Sequence, residues 1–254
     1  MGPMRPTAAE VARTLARGRL EGTLKFADGS EVGGFGHATD RSGRPLLLAR
    51  GGGDLAKALH ARAGSGDRRA RLTVDDVPPV PGAPSLGRLR VSGSLWQVPQ
   101  RARRNAVLEF AESNPLADLF DVGTTVALHV LEIQRVTLDR SGSTEPIAPA
   151  AYSAAEPDPL HECEQALLED LADHHGTQLG GLVRRLLDRR GAPCGPDPRA
   201  VRLDRYGFTV DIGPEEGRRG SLRLEFARAV RDQHDLAHLL HPILFHDHHG
   251  CEHD

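Results

Sequence analysis

Seven of the thirteen histidines in this chain fall within its last 21 residues: His234, His238, His241, His246, His248, His249 and His253. Neutral imidazole is the commonest protein ligand for transition metals and a frequent ligand for haem iron, so this density points to metal chemistry. Wound at about 100° per residue, Asp232 to Ile243 forms an amphipathic helix. His234, His238 and His241 occupy a stripe about 60° wide on that helix. Leu236, Leu239, Leu240 and Ile243 fall opposite. The leucines are expected to pack the helix onto its own domain and the imidazoles to face outward. A solvated face on a terminal helix has the same pattern, and both readings stand at this point.

Beyond the helix, His246, His248, His249 and Cys251 offer ligands suited to zinc or nickel. Their spacing matches no closed structural zinc motif, so a weak exchangeable site at the tail is the expectation. Cys163, Cys194 and Cys251 are few and widely spaced, which implies no disulfide framework and fits a reducing cytoplasm. No Ser/His/Asp or Cys/His catalytic set has recognisable flanks.

With 254 residues and 39% hydrophobic residues, the chain can build two ordinary cores. A net charge of -3 gives no nucleic-acid footprint. Lys25 and Lys57 are the only lysines, and arginine supplies the other positive charges. No apolar run approaches the 18 or so residues of a membrane span, and no leader-like N-terminal core is present.

The elements that must carry these residues follow from local patterns. Thr7 and Glu10 form a capping box for a short helix. Strands are expected at 22–27, 33–39, 45–50 and 70–74, and Asp54 is expected to cap a helix to about Ala63. Leu89, Val91 and Leu95 alternate with polar residues in a strand over 88–98, where Gly93 marks a bulge or a close backbone approach. A helix is expected over 99–113, then one long bent strand or two over 124–138. Many short strands separated by turns argue a closed β-barrel rather than a parallel sheet.

The stretch 141–157, rich in Ser, Ala and Pro, reads as a linker. Asp158-Pro159 then reads as the start of a helix that continues, or restarts after Gly176, toward Arg190. Strands at 200–203, 207–212 and 222–226 precede the histidine helix. The fold class is α+β: a split β-barrel over 1–145, a linker core at 146–154, and a small α/β domain over 155–254.

Three segments carry a family resemblance: Leu171-Ala-Asp-His-His-Gly176, Val201-Arg-Leu-Asp-Arg-Tyr-Gly-Phe208, and Leu224-Glu-Phe-Ala-Arg228 before the last helix. Together they resemble the small C-terminal domain of HugZ-type haem-utilisation proteins. Those proteins carry an FMN-binding-type split barrel similar to pyridoxamine-phosphate oxidases. His175 aligns with the histidine of the family's Asp-His helix motif, and Asp204 and Gly207 with its Asp-x-x-Gly turn. The barrel half matches in element order and over Lys57 to Val74. The Gly-Phe-Gly segment often found after the last barrel strand is missing; the chain reads Asp139-Arg-Ser-Gly-Ser there.

The resemblance implies a homodimer that binds haem at a barrel-interface site reached by the segment His238 to His246, with oxidative haem breakdown as an associated activity. It also implies a cytoplasmic protein that touches neither nucleic acid nor membrane. Its candidate haem ligands here are His238, His241 or His246, with His175 as a second ligand and Arg88 or Arg90 as propionate partners. A flavin-dependent oxidoreductase is the competing enzyme class. FMN would need Lys57 and the backbone amides of Gly51-Gly52-Gly53 around its phosphate. The side chains of Leu55, Ala56 and Ala58 donate no hydrogen bond. The third class is a non-catalytic regulator of tetrapyrrole metabolism, or a metal-binding protein.

Overall fold

The computed structural model describes residues 4–64, 66–189, 197–215 and 218–245. The chain divides into two compact units. One comprises Thr7–Val77 and Ser85–Pro157; the other comprises Met1–Pro6, Pro78–Pro84 and Asp158–Asp254.

The first unit is a curled antiparallel sheet. Its strands are β1 (Gly22–Phe26), β2 (Glu31–Val32), β3 (His37–Thr39), β4 (Pro45–Arg50), β5 (Arg69–Asp75), β6 (Arg88–Gln97), β7 (Val126–Arg140) and β8 (Ser143–Ile147). They lie in the order β2-β1-β5-β6-β7-β4-β3, with β8 added to β7. One 15-residue strand, β7, does the work of closure. Its first third pairs with β4, its last third with β8, and its length with β6. The sheet curls around Leu24, Leu47, Leu72, Leu89, Val91, Leu131, Val136 and Leu138, all buried. Fifteen residues can serve three partners because the strand bends. The bend comes at a bulge, where Ser92 faces Arg135 but Gly93 faces Ile133, leaving Gln134 as the extra residue.

The helices read from the sequence in this unit follow their signals with one correction. In α1 (Ala8–Leu15) the capping box forms as expected: Thr7 Oγ1 accepts from the Glu10 backbone, and Glu10 accepts from the Thr7 backbone at 2.8 Å. In α2 (Asp54–Ala61) the N-cap is Gly53, not Asp54. The Asp54 carboxylate instead sits 3.4 Å from Lys57 Nζ, one turn along. A third helix, α3 (Gln100–Ser113), buries Phe110 against Leu46, Leu48 and Leu128 on the other face of the sheet.

The stretch read as a linker is not one. It contains β8 and α4 (Pro149–Ala154), and Ile147 and Tyr152 are buried in the barrel core. The Tyr152 hydroxyl donates to Gly43 O at 2.9 Å, and Arg13 donates to Ala155 O at 3.1 Å. Two anchoring side chains in a composition typical of loops are enough to order it.

The second unit packs α5 (Glu164–Asp188) and α6 (Gln233–Phe245) with a three-stranded antiparallel sheet, β9 (Arg199–Asp204), β10 (Gly207–Glu215) and β11 (Arg218–Glu225). Its core joins Leu168, Leu171, Leu179 and Val183 of α5 to Leu203, Phe208 and Val210 of the sheet and to Leu236 and Leu240 of α6. Asp158 does not cap α5. Its carboxylate accepts from the Leu160 and Arg205 backbones, both at 2.8 Å, and burial pushes its pKa up to about 6. The helix starts at Glu164 and runs through Gly176 without a break.

Two histidines of the barrel unit, His37 buried and His129 half-buried, predict acid sensitivity. Burial holds His129 on β7 at a pKa of about 4, against an ordinary 6.5. Burial also lowers that of His37 on β3, whose Nε2–H donates to Leu20 O at 2.9 Å. The fold keeps both rings neutral, while the unfolded chain takes up protons below about pH 6.5. Stability from these groups is therefore complete above pH 6.5 and is lost as pH falls toward 4. His129 contributes up to about 3 kcal/mol of that loss. Urea titrations of the wild type and His129→Gln across this range are expected to show a shallower acid slope in the variant. Equal slopes would contradict the assignment.

Candidate functional site

The second unit holds a cavity of about 280 Å³ between its two helices. Leu167, Asp170, Leu171 and His175 of α5 line one side; Gln233, Leu236, Ala237, Leu240 and His241 of α6 line the other. Helical period produces this wall. Leu167/Leu171 and Leu236/Leu240 are i,i+4 pairs that share a face; His175 continues the first row by one turn, and His241 stands one turn beyond Ala237 on the same wall. The result is an apolar floor with an imidazole from each helix at its rim. Asp170 also binds the neighbouring ring, its Oδ1 lying 3.1 Å from His174 Nδ1.

The histidine stripe thus divides by partner. His241 lines the cavity with His175, whereas His238 Nε2 lies 3.0 Å from His234 Nε2. Those two exposed rings meet edge to face, with centroids 4.5 Å apart. The outward expectation for the stripe holds for His234, His238 and His241, and Leu236 and Leu240 are buried as expected. His246, His248, His249 and Cys251 lie outside the described residues.

Arg88 and Arg90 belong to the other unit and are not among the residues lining this cavity. Each is held by a carboxylate across a strand pair: Arg88 by Asp75 at 2.5 Å, and Arg90 by Asp139. They are alternate residues on β6, opposite Asp75 and Thr73 of β5 and opposite Asp139 and Thr137 of β7. Register explains the pairs: Asp75 lies directly opposite Arg88, and Asp139 lies diagonal to Arg90 on the same face.

Lys57 is exposed and near Asp54. The glycine amides beside it are largely committed. Gly51 N–H donates to Thr125 O at 2.7 Å, and Gly53 N–H to Arg50 O at 2.9 Å. A phosphate cradle at this turn would require those bonds to break, so the geometry does not favour FMN phosphate binding here.

A shallow groove of about 430 Å³ on the barrel sheet was not foreseen. Lys25 of β1, Arg71 of β5, Ser92 of β6 and Gln134 of β7 border it. The period-2 arginines Arg69 and Arg71 were the available signal, but strand register alone sets which partners they face. No helix among the described residues is long and apolar enough to cross a membrane.

No family model matches the chain, and no curated protein matches it. Solved structures do. A haem-binding protein from Mycobacterium smegmatis aligns with a TM-score of 0.67 at 23% identity, over 95% of this chain and 97% of that one. HutZ of Vibrio cholerae, described as a haem storage protein, aligns at 0.36 and 12% identity, over 50% of this chain and 89% of HutZ. A Clostridium acetobutylicum protein of the pyridoxinephosphate oxidase family aligns at 0.32 and 11%, over 50% and 83%. The chain thus shares its fold, a split antiparallel barrel unit and a small α/β unit, with the M. smegmatis haem-binding protein.

Proposed function

We propose that this chain binds haem and serves haem or iron handling, with His241 and His175 as the histidines that meet the iron. The carrying observation is the shared cavity: two imidazoles from different helices at the rim of a leucine-lined wall. Haem requires an axial donor and an apolar surface for the macrocycle, and both are supplied here. The cavity lies just below the roughly 300–1,000 Å³ of ordinary ligand pockets, so it suits one edge of the macrocycle. No lysine or arginine is among the residues that line it. The whole-length fold match to a haem-binding protein supports the same reading.

Haem, when bound, supplies the redox-active iron. The protein's part is to place an imidazole beside it and shield one edge from water. Breakdown of that haem by dioxygen and an external reductant is the activity proposed to accompany binding. A Soret band that decays only when both are supplied supports it, and a stable band restricts the role to binding.

Haemin titration is the direct test. We expect micromolar or tighter uptake with a Soret shift. His241→Ala and His175→Ala are each expected to weaken it about tenfold or more, and His238→Ala by less than threefold. Absence of a Soret shift in the wild type would sink the proposal, and equal effects of all three variants would sink the ligand assignment. Flavin co-purifying as a yellow protein would promote the oxidoreductase reading instead.

The same reading includes a homodimer in a reducing cytoplasm. Phe120 is 93% exposed on the barrel unit, and burial of so large an apolar side chain against a second copy supports this reading. Sedimentation is expected to give twice the mass of one chain; a monomer at micromolar concentration overturns it. Deleting residues 247–254 is expected to leave that mass unchanged while lowering nickel or zinc affinity more than haem affinity.

A further inference from the structure

We infer that His234 and His238 form a separate two-point chelate for a divalent copper- or nickel-type ion, distinct from the His175–His241 cavity. Four residues apart on α6, their side chains lie on one face, one turn of helix apart. The two Nε2 atoms are already close, 3.0 Å apart with the ring planes at 87°, so a small rotation about the side-chain torsions aims both lone pairs at one ion. Two nitrogens bound to one ion at about 2.0–2.1 Å stand roughly 2.9 Å apart at a right angle and roughly 3.4 Å apart at a tetrahedral angle. The observed spacing is that of the right angle. Adjacent positions of a square-planar or tetragonal ion have that angle, a geometry that suits Cu(II) or Ni(II) better than Zn(II). Among these ions imidazole binds Cu(II) most tightly.

The surroundings leave the pair to act as two ligands. Asp235, on the same turn, is held by Arg228 at 2.7 and 2.5 Å and by the Arg231 backbone at 3.1 Å. Asp232 Oδ1 accepts the Asp235 backbone N–H at 2.8 Å and so fixes the start of the helix. The chelate therefore sits on an anchored first turn. No cluster of three or more His, Cys, Asp or Glu side chains suited to a metal occurs among the described residues. Water or an incoming donor fills the remaining positions, which makes the ion exchangeable. In the empty site one Nε2–H donates to the other ring's lone pair. Binding needs both Nε2 lone pairs, so that proton moves to Nδ1 of its own ring. No net proton is released from a neutral pair.

The test uses the full chain with His246, His248, His249 and His253 changed to Ala and Cys251 to Ser, and Cu(II) alone as probe. We expect one equivalent to bind, with an electron paramagnetic resonance spectrum showing two imidazole nitrogens. His234→Ala or His238→Ala is expected to weaken binding about 100-fold, the loss of one arm of a preorganised pair, and to leave one nitrogen. His238→Gln, which keeps a polar side chain on the helix, is expected to do the same. His241→Ala is expected to leave the copper spectrum unchanged, and haem uptake by the His234→Ala protein is expected to stay as in the parent. No bound copper at one equivalent, or affinity within threefold of the parent in both His238 variants, overturns the site. Failure of haem binding does not touch it.

Discussion

Glu164→Ala is expected to destabilise the α/β unit by roughly 3–5 kcal/mol, the usual consequence of leaving one buried charge without its partner. Glu164 is 3% exposed and Arg202 is 4% exposed. Glu164 opens α5, and its carboxylate accepts from Arg202 Nη1 and from the Leu203 backbone, both at 2.9 Å. The Arg202 Nε donates to Pro84 O at 2.9 Å. One carboxylate thus joins helix to sheet, and its guanidinium partner binds the 78–84 loop that belongs to the same unit. Arg202→Met alone is expected to cost a similar amount, because the carboxylate then stays buried without its cation. The double variant Glu164→Leu/Arg202→Met is expected to recover most of the loss, since apolar replacement of both partners is often neutral or better. Hydrogen exchange over β9 and β10 reads this unit separately from the barrel. Single variants that each cost under 1 kcal/mol would show that the pair does not hold α5 to the sheet.

The barrel has its own sensitive point. Gly93→Ala is expected to cost roughly 3 kcal/mol or more, at the upper end for overpacking a close contact. A Cβ at Gly93 would stand 1.9 Å from Glu132 O and 2.8 Å from its carbonyl carbon, both backbone atoms of the paired strand. Neither can rotate aside, so β6 and β7 must separate at the bulge that bends β7. Gly142→Ala is the control for added bulk, since nothing lies within 4 Å of a Cβ there, although its positive φ of 82° adds some strain. Thermal unfolding followed by Trp96 fluorescence compares the two. A Gly93→Ala protein as stable as the control would refute the close approach.

What the chain determined by itself is what depends on neighbours close in sequence. The Thr7–Glu10 capping box closes within one helical turn. The alternation of Leu89, Val91 and Leu95 and the leucine stripe of α6 reflect the periods of strand and helix. Gly93 was legible because a glycine inside an apolar alternation has few other reasons to be there. Composition misled at 141–157, where only Ile147 and Tyr152 reach the core and neither forms a period. Asp158 was misread as a helix cap for a related reason: an Asx cap closes a turn as readily as a helix.

Tertiary structure decided what depends on distant partners. Glu164 and Arg202 are ordinary charges in the sequence and become a buried pair only when β9 is laid against α5. Arg88 and Arg90 were offered as propionate partners, but strand register set Asp75 and Asp139 beside them. Helix packing likewise sorted one stripe of equivalent histidines. It brought His241 to the same cavity as His175 and left His234 and His238 to each other. A period assigns a residue to a face, but only the packing of that face decides which other residue it meets.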